Sequence, residues 1–256
     1  MRNDGARPLP VLLLPGLDGT ARLFRRFVQA ATGNLDLRPV PYPADRFLDY
    51  AELEMLVRGH FPRGPFAILG ESFGGPLALR VARRAPPGLV GVVLSATFHR
   101  RPARPLVERV APLARAFFRL PLPPHVVRLL LAGGDAPRDL VKEVRAAVAE
   151  VSPAVMAARA RAALRVDATE DLRACPAPVL FLGGRRDRLL RRQLPAEIRA
   201  VRPSVEMHLL DTPHLVLQRS PAEAMSLVEA FLLRADEKKG PPLAERPPDA
   251  SRGVEA

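Results

Sequence analysis

The chain has 256 residues, of which 48% are hydrophobic and 26% are charged, and its formal net charge is +12. The apolar content excludes a disordered protein, and the length is sufficient for one globular domain with a full core. The single cysteine, Cys175, excludes an internal disulfide framework and a cysteine-rich zinc site. We therefore expect a cytoplasmic chain, and no motif indicates a cofactor or a metal.

The positive charge does not by itself indicate a protein that binds nucleic acid. Only three of the 39 basic residues are lysine, and the arginines are scattered along the chain rather than clustered. Aromatic residues make up 5% of the chain and tryptophan is absent, so few side chains can stack on bases. We expect no nucleic-acid partner.

The longest near-apolar stretch, Leu9 to Leu17, is about half the length of a membrane span and contains two prolines. It follows Arg2 and Arg7 in the manner of a signal peptide, but no small-residue cleavage site comes after it. We predict no membrane span, and we interpret the stretch as a buried strand.

Six short apolar runs are predicted to be strands, and segments with helical spacing lie between them. Strands that alternate with helices indicate a parallel sheet with right-handed crossovers. The predicted strands are Leu9–Leu14, Leu35–Val40, Phe66–Leu69, Leu89–Leu94, Val179–Leu182 and Val205–Leu210. The predicted helices between and after them are Ala51–His60, Pro76–Arg84, Leu189–Val201 and Ala222–Arg234.

The alternation is interrupted between Phe98 and Asp167, where no strand-like run occurs. This stretch predicts an all-helical insertion after the fourth strand, and it holds thirteen Lys and Arg against six Asp and Glu. We predict a core of residues 1–97 and 168–235, an insertion of residues 98–167 and a disordered tail of residues 236–256. The predicted helices of the insertion are Leu106–Leu120, Pro124–Ala132, Pro137–Val151 and Pro153–Val166.

The strongest chemical signal is the Gly-x-Ser-x-Gly sequence Gly70–Gly74, which follows a predicted strand and precedes a predicted helix. Ser72 would then lie in a tight, strained turn, where Gly70 and Gly74 have no Cβ atoms to collide. The N–H groups of the following helix would face the site. This context predicts that Ser72 is a nucleophile.

A serine hydroxyl needs a general base, and His214 is the best placed of the five histidines. It follows the last predicted strand, and the carboxyl ends of parallel strands form the binding crevice of such sheets. His208, inside that strand, is its main rival. The remaining three are His60, at a predicted helix end, and His99 and His125, in the insertion.

The base needs an orienting acid, and Asp187 follows the fifth predicted strand at the same edge. Asp187 has an alternative interpretation as a helix cap or a solvated side chain among arginines. Asp211 is close to His214 in sequence but can turn toward the loop backbone. Asp167 and Asp171 are less well placed, because they lie where the chain returns from the insertion.

The glycine-rich segment Pro15–Gly19 follows the first predicted strand, where a loop can supply an oxyanion hole. We expect one donor to be the backbone N–H of Leu17 and the other to be the N–H of Phe73, directly after the nucleophile. An alternative is that the segment is an ordinary glycine-rich turn. A phosphate site is not indicated, because the segment lacks lysine and a Gly-x-Gly-x-x-Gly pattern.

These motifs resemble the α/β-hydrolase superfamily over residues 8–235, in particular small bacterial serine esterases with a helical cap. The matching residues are Leu14–Thr20, Gly70–Gly75, Gly183–Asp187 and Pro213–His214, with Pro221 opening the final helix region. Pro15 stands where the family usually has histidine. The resemblance implies a minimal fold with about six mainly parallel strands and a cap at residues 98–167. It also implies catalytic roles for Ser72, Asp187 and His214, and oxyanion donors on Leu17 and Phe73.

The expected activity is hydrolysis of a carboxylic ester through an acyl-enzyme on Ser72, with a small to medium apolar acyl group. The same three residues would also serve an acyltransferase, or a thioesterase or hydrolase that acts on esters linked to a carrier protein. A non-catalytic receptor on this fold is an alternative of a different class. The oligomeric state is not indicated. The expected substrate-binding residues are Leu17, Phe117, Phe118, Leu129, Leu130, Met156 and Leu215.

The positive charge of the insertion also suggests an acidic protein partner. A member of this superfamily docks an acidic carrier protein through cap arginines, and the resemblance extends that role to this chain. The corresponding arginines here would be Arg100, Arg101, Arg104, Arg109, Arg115 and Arg119.

Overall fold

The computed structural model describes residues 7–100, 102 and 118–239. The strands are β1 (Leu9–Leu14), β2 (Leu35–Pro39), β3 (Phe66–Glu71), β4 (Leu89–Ser95), β5 (Val179–Gly184) and β6 (Glu206–Leu210). They form one sheet in the order β2-β1-β3-β4-β5-β6, and every neighbouring pair is parallel. The predicted parallel sheet of six strands is confirmed.

The helices outside the insertion connect successive strands or follow the last one. They are α1 (Arg25–Gln29), α2 (Tyr50–Arg58), α3 (Gly74–Arg83), α7 (Thr169–Arg173), α8 (Leu194–Val201), α9 (Val216–Arg219) and α10 (Pro221–Lys239). One turn of 3₁₀ helix, Arg22–Phe24, precedes α1. The helices α4 (Pro124–Val126), α5 (Arg138–Ala149) and α6 (Pro153–Arg165) belong to the insertion.

The core lies on both faces of the sheet. Side chains alternate between the two faces along each strand, so neighbouring residues of a strand belong to different halves of the core. On β1, Leu12 and Leu14 pack with α2, α3 and α8, whereas Val11 and Leu13 pack with α1, α9 and α10. Both sets are almost completely buried. This explains why the β1 sequence is continuously apolar, since helices cover both faces of a parallel sheet.

The described part of the insertion consists of α4 (Pro124–Val126), α5 (Arg138–Ala149) and α6 (Pro153–Arg165), and α4 continues into the π-helical segment Val127–Ala132. At its base Arg100 and Asp167 form an isolated antiparallel bridge. Its apolar side chains pack against Leu17, which follows β1, and against Leu215, which follows β6. The insertion therefore contacts loops at the carboxyl edge of the sheet.

Some predicted boundaries differ from the structure. The helix predicted at Leu189–Val201 begins only at Leu194; the N–H groups of residues 189 and 190 donate to the Asp187 side chain, and the Arg191 N–H donates to the Pro102 carbonyl oxygen. The last helix includes residues 236–239, which the sequence analysis assigned to the tail. Nearly all of the predicted helix Leu106–Leu120 lies outside the described residues, as do residues 240–256.

Candidate active site

Ser72 lies in the sharp turn between β3 and α3, and its φ of 49° is in the left-handed region that non-glycine residues rarely adopt. Two glycines make this turn possible. A Cβ on Gly70 would collide with the carbonyl oxygen of Gly74, and a Cβ on Gly74 would lie 2.9 Å from the carbonyl oxygen of Pro15. The Ser72 N–H donates to the carbonyl oxygen of Ser95 at 2.9 Å, which ties the turn to β4.

Gly75, the residue directly after the Gly-x-Ser-x-Gly motif, has a role that sequence reasoning missed. A Cβ there would collide with Thr97, whose hydroxyl donates a hydrogen bond to the Ser72 carbonyl oxygen. Gly75 thus lets the residues after β4 approach the turn closely. The strained Ser72 backbone is held from both sides, by Ser95 and by Thr97.

The side chains of Ser72, His214 and Asp187 form a continuous chain of hydrogen bonds. His214 Nε2 lies 3.1 Å from Ser72 Oγ, and His214 Nδ1 lies 2.8 Å from Asp187 Oδ2. The second carboxylate oxygen of Asp187 accepts from the N–H groups of Leu189 and Leu190, at 2.8 Å and 3.0 Å. The structure brings together the three residues that the sequence analysis selected.

The rival side chains lie elsewhere. His208 is on β6 and contacts Glu206, while His60 is exposed and lies 2.9 Å from the carbonyl oxygen of Leu56. His125 is exposed on α4, and His99 is buried with neither ring nitrogen hydrogen-bonded among the described residues.

The rival acid Asp211 is exposed and forms an ion pair with Arg186. The other two acids contact residues outside the triad: Asp167 accepts from the N–H of Thr169, and Asp171 pairs with Arg83.

The electrostatics of the pair suit a base and its orienting acid. Burial alone would raise the pKa of Asp187, but the His214 imidazole beside it holds that pKa below its usual value. Burial alone would lower the pKa of His214, yet the charge and hydrogen bond of Asp187 raise it. His214 is therefore a stronger base than an isolated imidazole, and only 4% of its surface is exposed.

A second buried carboxyl group, Glu71, precedes the nucleophile. Burial raises its pKa to about 7, against the opposing effects of a hydrogen bond from Gln218 and the nearby His214. The Gln218 side-chain nitrogen donates to Glu71 at 2.9 Å. Sequence reasoning missed Glu71 as a titratable group with a shifted pKa. Its burial at the end of β3, against Gln218 of α9, is a tertiary effect.

The loop after β1 lies directly beside the nucleophile: a Cβ on Gly16 would be 3.7 Å from that of Ser72. The Gly19 N–H donates to the Gly16 carbonyl oxygen at 3.1 Å, which fixes the peptide group that carries the Leu17 N–H. Within residues 7–100, 102 and 118–239, neither the Leu17 N–H nor the Phe73 N–H has a hydrogen-bond acceptor. These two donors are therefore available to an external oxygen.

Arg159 on α6 is a further residue at this loop that sequence reasoning missed. It is one of the largest fully buried side chains, with 1% of its surface exposed, and it donates to backbone carbonyl oxygens of the loop. In a sequence so rich in arginine, no local pattern distinguishes it from Arg161 and Arg165 on the same helix, neither of which is buried.

The residues predicted to bind substrate are distributed unevenly. Leu17 and Phe118 are partly buried and pack against the apolar cluster that contains Met156, while Leu215 is buried against the π-helical segment and α5. Leu129 is 54% exposed and Leu130 is half-buried on the π-helical segment. Phe117 lies outside the described residues.

Beside the site, a cavity of about 430 Å³ is lined by Asp187, by Ala96 and Thr97 after β4, and by Leu190 and Leu194. This volume is in the range of small-molecule sites. None of the predicted substrate-binding residues that the structure describes lines it.

The arginines predicted to meet a carrier protein are mostly undescribed. Arg100 lies 3.8 Å from Glu197, and Arg119 is exposed; Arg101, Arg104, Arg109 and Arg115 lie outside the described residues. In the described part of the chain, no group of acidic, histidine and cysteine side chains is arranged to hold a metal ion. No helix among these residues is both long and apolar enough to cross a membrane.

A sequence model of the alpha/beta hydrolase family matches residues 10–226, which is most of the chain. The chain belongs to the alpha/beta hydrolase family. The match includes all of the described sheet except Leu9, and it includes Ser72, Asp187 and His214. The family that the sequence motifs resemble is thereby confirmed. No curated protein sequence matches this hydrolase.

Solved structures similar to this hydrolase include two esterases and a bromoperoxidase. An esterase from Exiguobacterium antarcticum has a TM-score of 0.74 at 12% identity, covering 88% of this chain and 92% of its own. A thermophilic esterase from Thermogutta terrifontis has a TM-score of 0.71 at 20% identity, covering 90% and 92%. The bromoperoxidase from Bacillus anthracis has a TM-score of 0.74 at 16% identity, covering 88% and 92%. At these identities the likeness concerns the fold.

Proposed function

We propose that this chain is a serine hydrolase that cleaves carboxylic esters through an acyl-enzyme on Ser72. The observation that carries the proposal is the hydrogen-bond chain from Ser72 through His214 to Asp187, with Ser72 in a strained strand-to-helix turn. A nucleophile hydrogen-bonded to a base, and that base hydrogen-bonded to an acid, match the requirements of acyl transfer on a fold of the alpha/beta hydrolase family.

In the first step, His214 Nε2 accepts the hydroxyl proton of Ser72 as Oγ attacks the ester carbonyl carbon. The N–H groups of Leu17 and Phe73 donate to the developing oxyanion, and the Asp187 carboxylate stabilises the imidazolium that forms. His214 then returns its proton to the departing alcohol, which leaves an acyl group on Ser72 Oγ. In the second step, water adds by the same route, and the carboxylic acid leaves.

The substrate that we propose is an ester with a small to medium apolar acyl group. An apolar cluster of Val151, Val155 and Met156, with Phe118, packs directly on Leu17 of the oxyanion loop. The acyl group would then lie beside an apolar wall provided by the insertion. We propose on this basis that the insertion acts as a cap that selects the acyl chain.

Two measurements test the proposal. A fluorophosphonate probe is expected to label Ser72, and p-nitrophenyl esters of increasing chain length are expected to give highest kcat/KM at short to medium chains. Ser72→Ala is expected to lose on the order of 10⁶ in kcat, because the three residues act as a unit. Near wild-type activity in that variant would refute the assignment. Labelling without turnover on any chain length would favour an acyltransferase or a thioesterase instead.

A further inference from the structure

Arg159 is a charged side chain that the proposed mechanism does not use, although it is completely enclosed. It projects from α6 of the insertion toward the loop between β1 and α1. Its Nη1 atom donates to the carbonyl oxygens of Leu17 and Asp18, at 3.1 Å and 2.6 Å. Its Nη2 atom donates to the carbonyl oxygen of Pro43 at 2.7 Å.

The partners of this guanidinium are unusual for a buried cation. All three are neutral carbonyl groups, and no acidic side chain in the described part of the chain forms an ion pair with it. The nearest carboxylate in the loop, Asp18, instead accepts hydrogen bonds from Thr20, at 2.9 Å and 2.6 Å. The Tyr42 ring lies 5.5 Å from the guanidinium carbon and adds a cation–π contact.

Packing alone does not explain this arrangement. Burying a cation is costly, and an apolar side chain of similar size can often replace a buried charge without loss of stability. What an apolar side chain cannot do is donate hydrogen bonds to two carbonyl groups of the loop after β1 and to a third, that of Pro43, in the segment after β2. The guanidinium therefore determines the backbone geometry of the loop after β1.

The loop is shaped around the guanidinium. Gly19 has a φ of 69°, and a Cβ at this position would lie 2.5 Å from Arg159 Nη1. On the other side of the loop, Tyr42 donates its hydroxyl to the Pro15 carbonyl oxygen at 3.3 Å. The Leu17 N–H lies between these two points of attachment, in the segment whose backbone approaches Ser72.

We propose that Arg159 is a positioning residue that holds the Leu17 N–H in place to donate to the oxyanion. This inference rests on the proposed function, since it assigns a role in stabilising the transition state. It also gives the insertion a second task besides selecting the acyl chain. Because Arg159 is carried by α6, the oxyanion loop is complete only when the insertion is seated on the core.

The test compares Arg159→Met and Arg159→Lys with Arg165→Met, a control that removes an exposed arginine from the same helix. Each protein is checked for folding by circular dichroism and labelled to completion with a fluorophosphonate, so that kcat is expressed per reactive Ser72. The substrate is p-nitrophenyl butyrate. A merely structural role would reduce the number of labelled sites but would not change kcat per site.

We expect Arg159→Met to lower kcat per site by about 100-fold with little change in KM, since misplacing an oxyanion donor weakens binding of the transition state alone. Arg159→Lys should lose less, because one ammonium group can reach Leu17 and Asp18 but cannot also span to Pro43. The affinity for an aryl trifluoromethyl ketone, whose adduct carries an oxyanion, should fall in proportion to kcat. Arg165→Met should match the wild type.

A folded Arg159→Met variant with kcat per site within about threefold of the wild type would overturn the inference and leave the proposed function standing. A rise in KM at constant kcat would overturn it too, since it would indicate a role in substrate binding. If the Met variant does not fold, Arg159→Lys provides the test. A fall in kcat matched by an equal fall in affinity for the ketone would support the inference, and unchanged values of both would overturn it. Absence of labelling and turnover in the wild type would instead reject the proposed function, and the inference with it.

Discussion

At the scale of single residues, the candidate site divides into side chains that local sequence predicts and side chains that it does not. Ser72, Asp187 and His214 each follow a strand at the same edge of a parallel sheet, so their convergence follows from topology. Arg159 reaches the loop after β1 from a helix more than 140 positions away in the chain. Such a contact depends on how the insertion packs, and no local spacing encodes it.

The buried carboxyl group of Glu71 predicts a specific dependence of stability on pH. Its pKa is raised from 4.5 to about 7 in the folded state, so the folded protein binds a proton that the unfolded chain releases. The stabilisation from this proton is complete at low pH and is lost as the pH rises through 7. Between about pH 5 and 8, we expect the free energy of unfolding to fall by about 2 kcal/mol more in the wild type than in Glu71→Gln.

Urea denaturation of both proteins across that range measures this difference. Glutamine has the same shape and can still accept the hydrogen bond from Gln218, so the comparison isolates the ionisation from other groups that titrate. Parallel stability curves for the two proteins would show that Glu71 is ionised in the folded state throughout.

At the scale of elements, the strands were easier to predict than the helix boundaries. A strand covered on both faces is continuously apolar, and β1, β3 and β4 have this pattern. Helix ends depend on caps, which are contacts between a side chain and a few N–H groups. At α8 the N–H groups of residues 189 and 190 donate to Asp187, the Arg191 N–H donates to the distant carbonyl oxygen of Pro102, and the helix begins only at Leu194.

The capping box at the start of α2 gives a prediction at this scale. The Asp49 side chain accepts from the N–H groups of Ala51 and Glu52, and the Glu52 side chain accepts from the Asp49 N–H. We expect Asp49→Ala to lower the free energy of unfolding by about 1 kcal/mol, because these N–H groups lose their acceptor. The ester hydrolysis rate should stay unchanged, since the cap lies outside the proposed machinery.

Asp45→Ala is the matched control for this cap, because Asp45 is an exposed aspartate in the preceding loop. Its free energy of unfolding, measured by urea denaturation, should remain within about 0.5 kcal/mol of the wild type. Equal losses in both variants would mean that the box contributes nothing specific to α2.

At the scale of the whole molecule, the insertion and the sheet contribute jointly to the candidate site. The sheet supplies Ser72, Asp187 and His214, while α6 contacts the loop after β1 through Met156 and Arg159. The sequence predicted that residues 98–167 are helical, since no strand-like run occurs there. The resemblance to the family implied a cap over the site, but the particular contacts that seat these helices on the core were not predicted, because they are apolar and polar contacts between distant segments.

The net charge of +12 leads to a prediction that involves the entire surface. Many arginines are paired with acidic residues, but the excess of positive charge produces a field that attracts anions over a distance set by the ionic strength. For an ester with an anionic acyl group, such as p-nitrophenyl hemisuccinate, we expect kcat/KM to fall several-fold between about 20 mM and 200 mM salt. Neutral p-nitrophenyl butyrate serves as the control, and its kcat/KM should change little over the same range. If both esters respond equally, the positive surface has no part in substrate capture, and selection of the ester rests on the apolar contacts of the insertion alone.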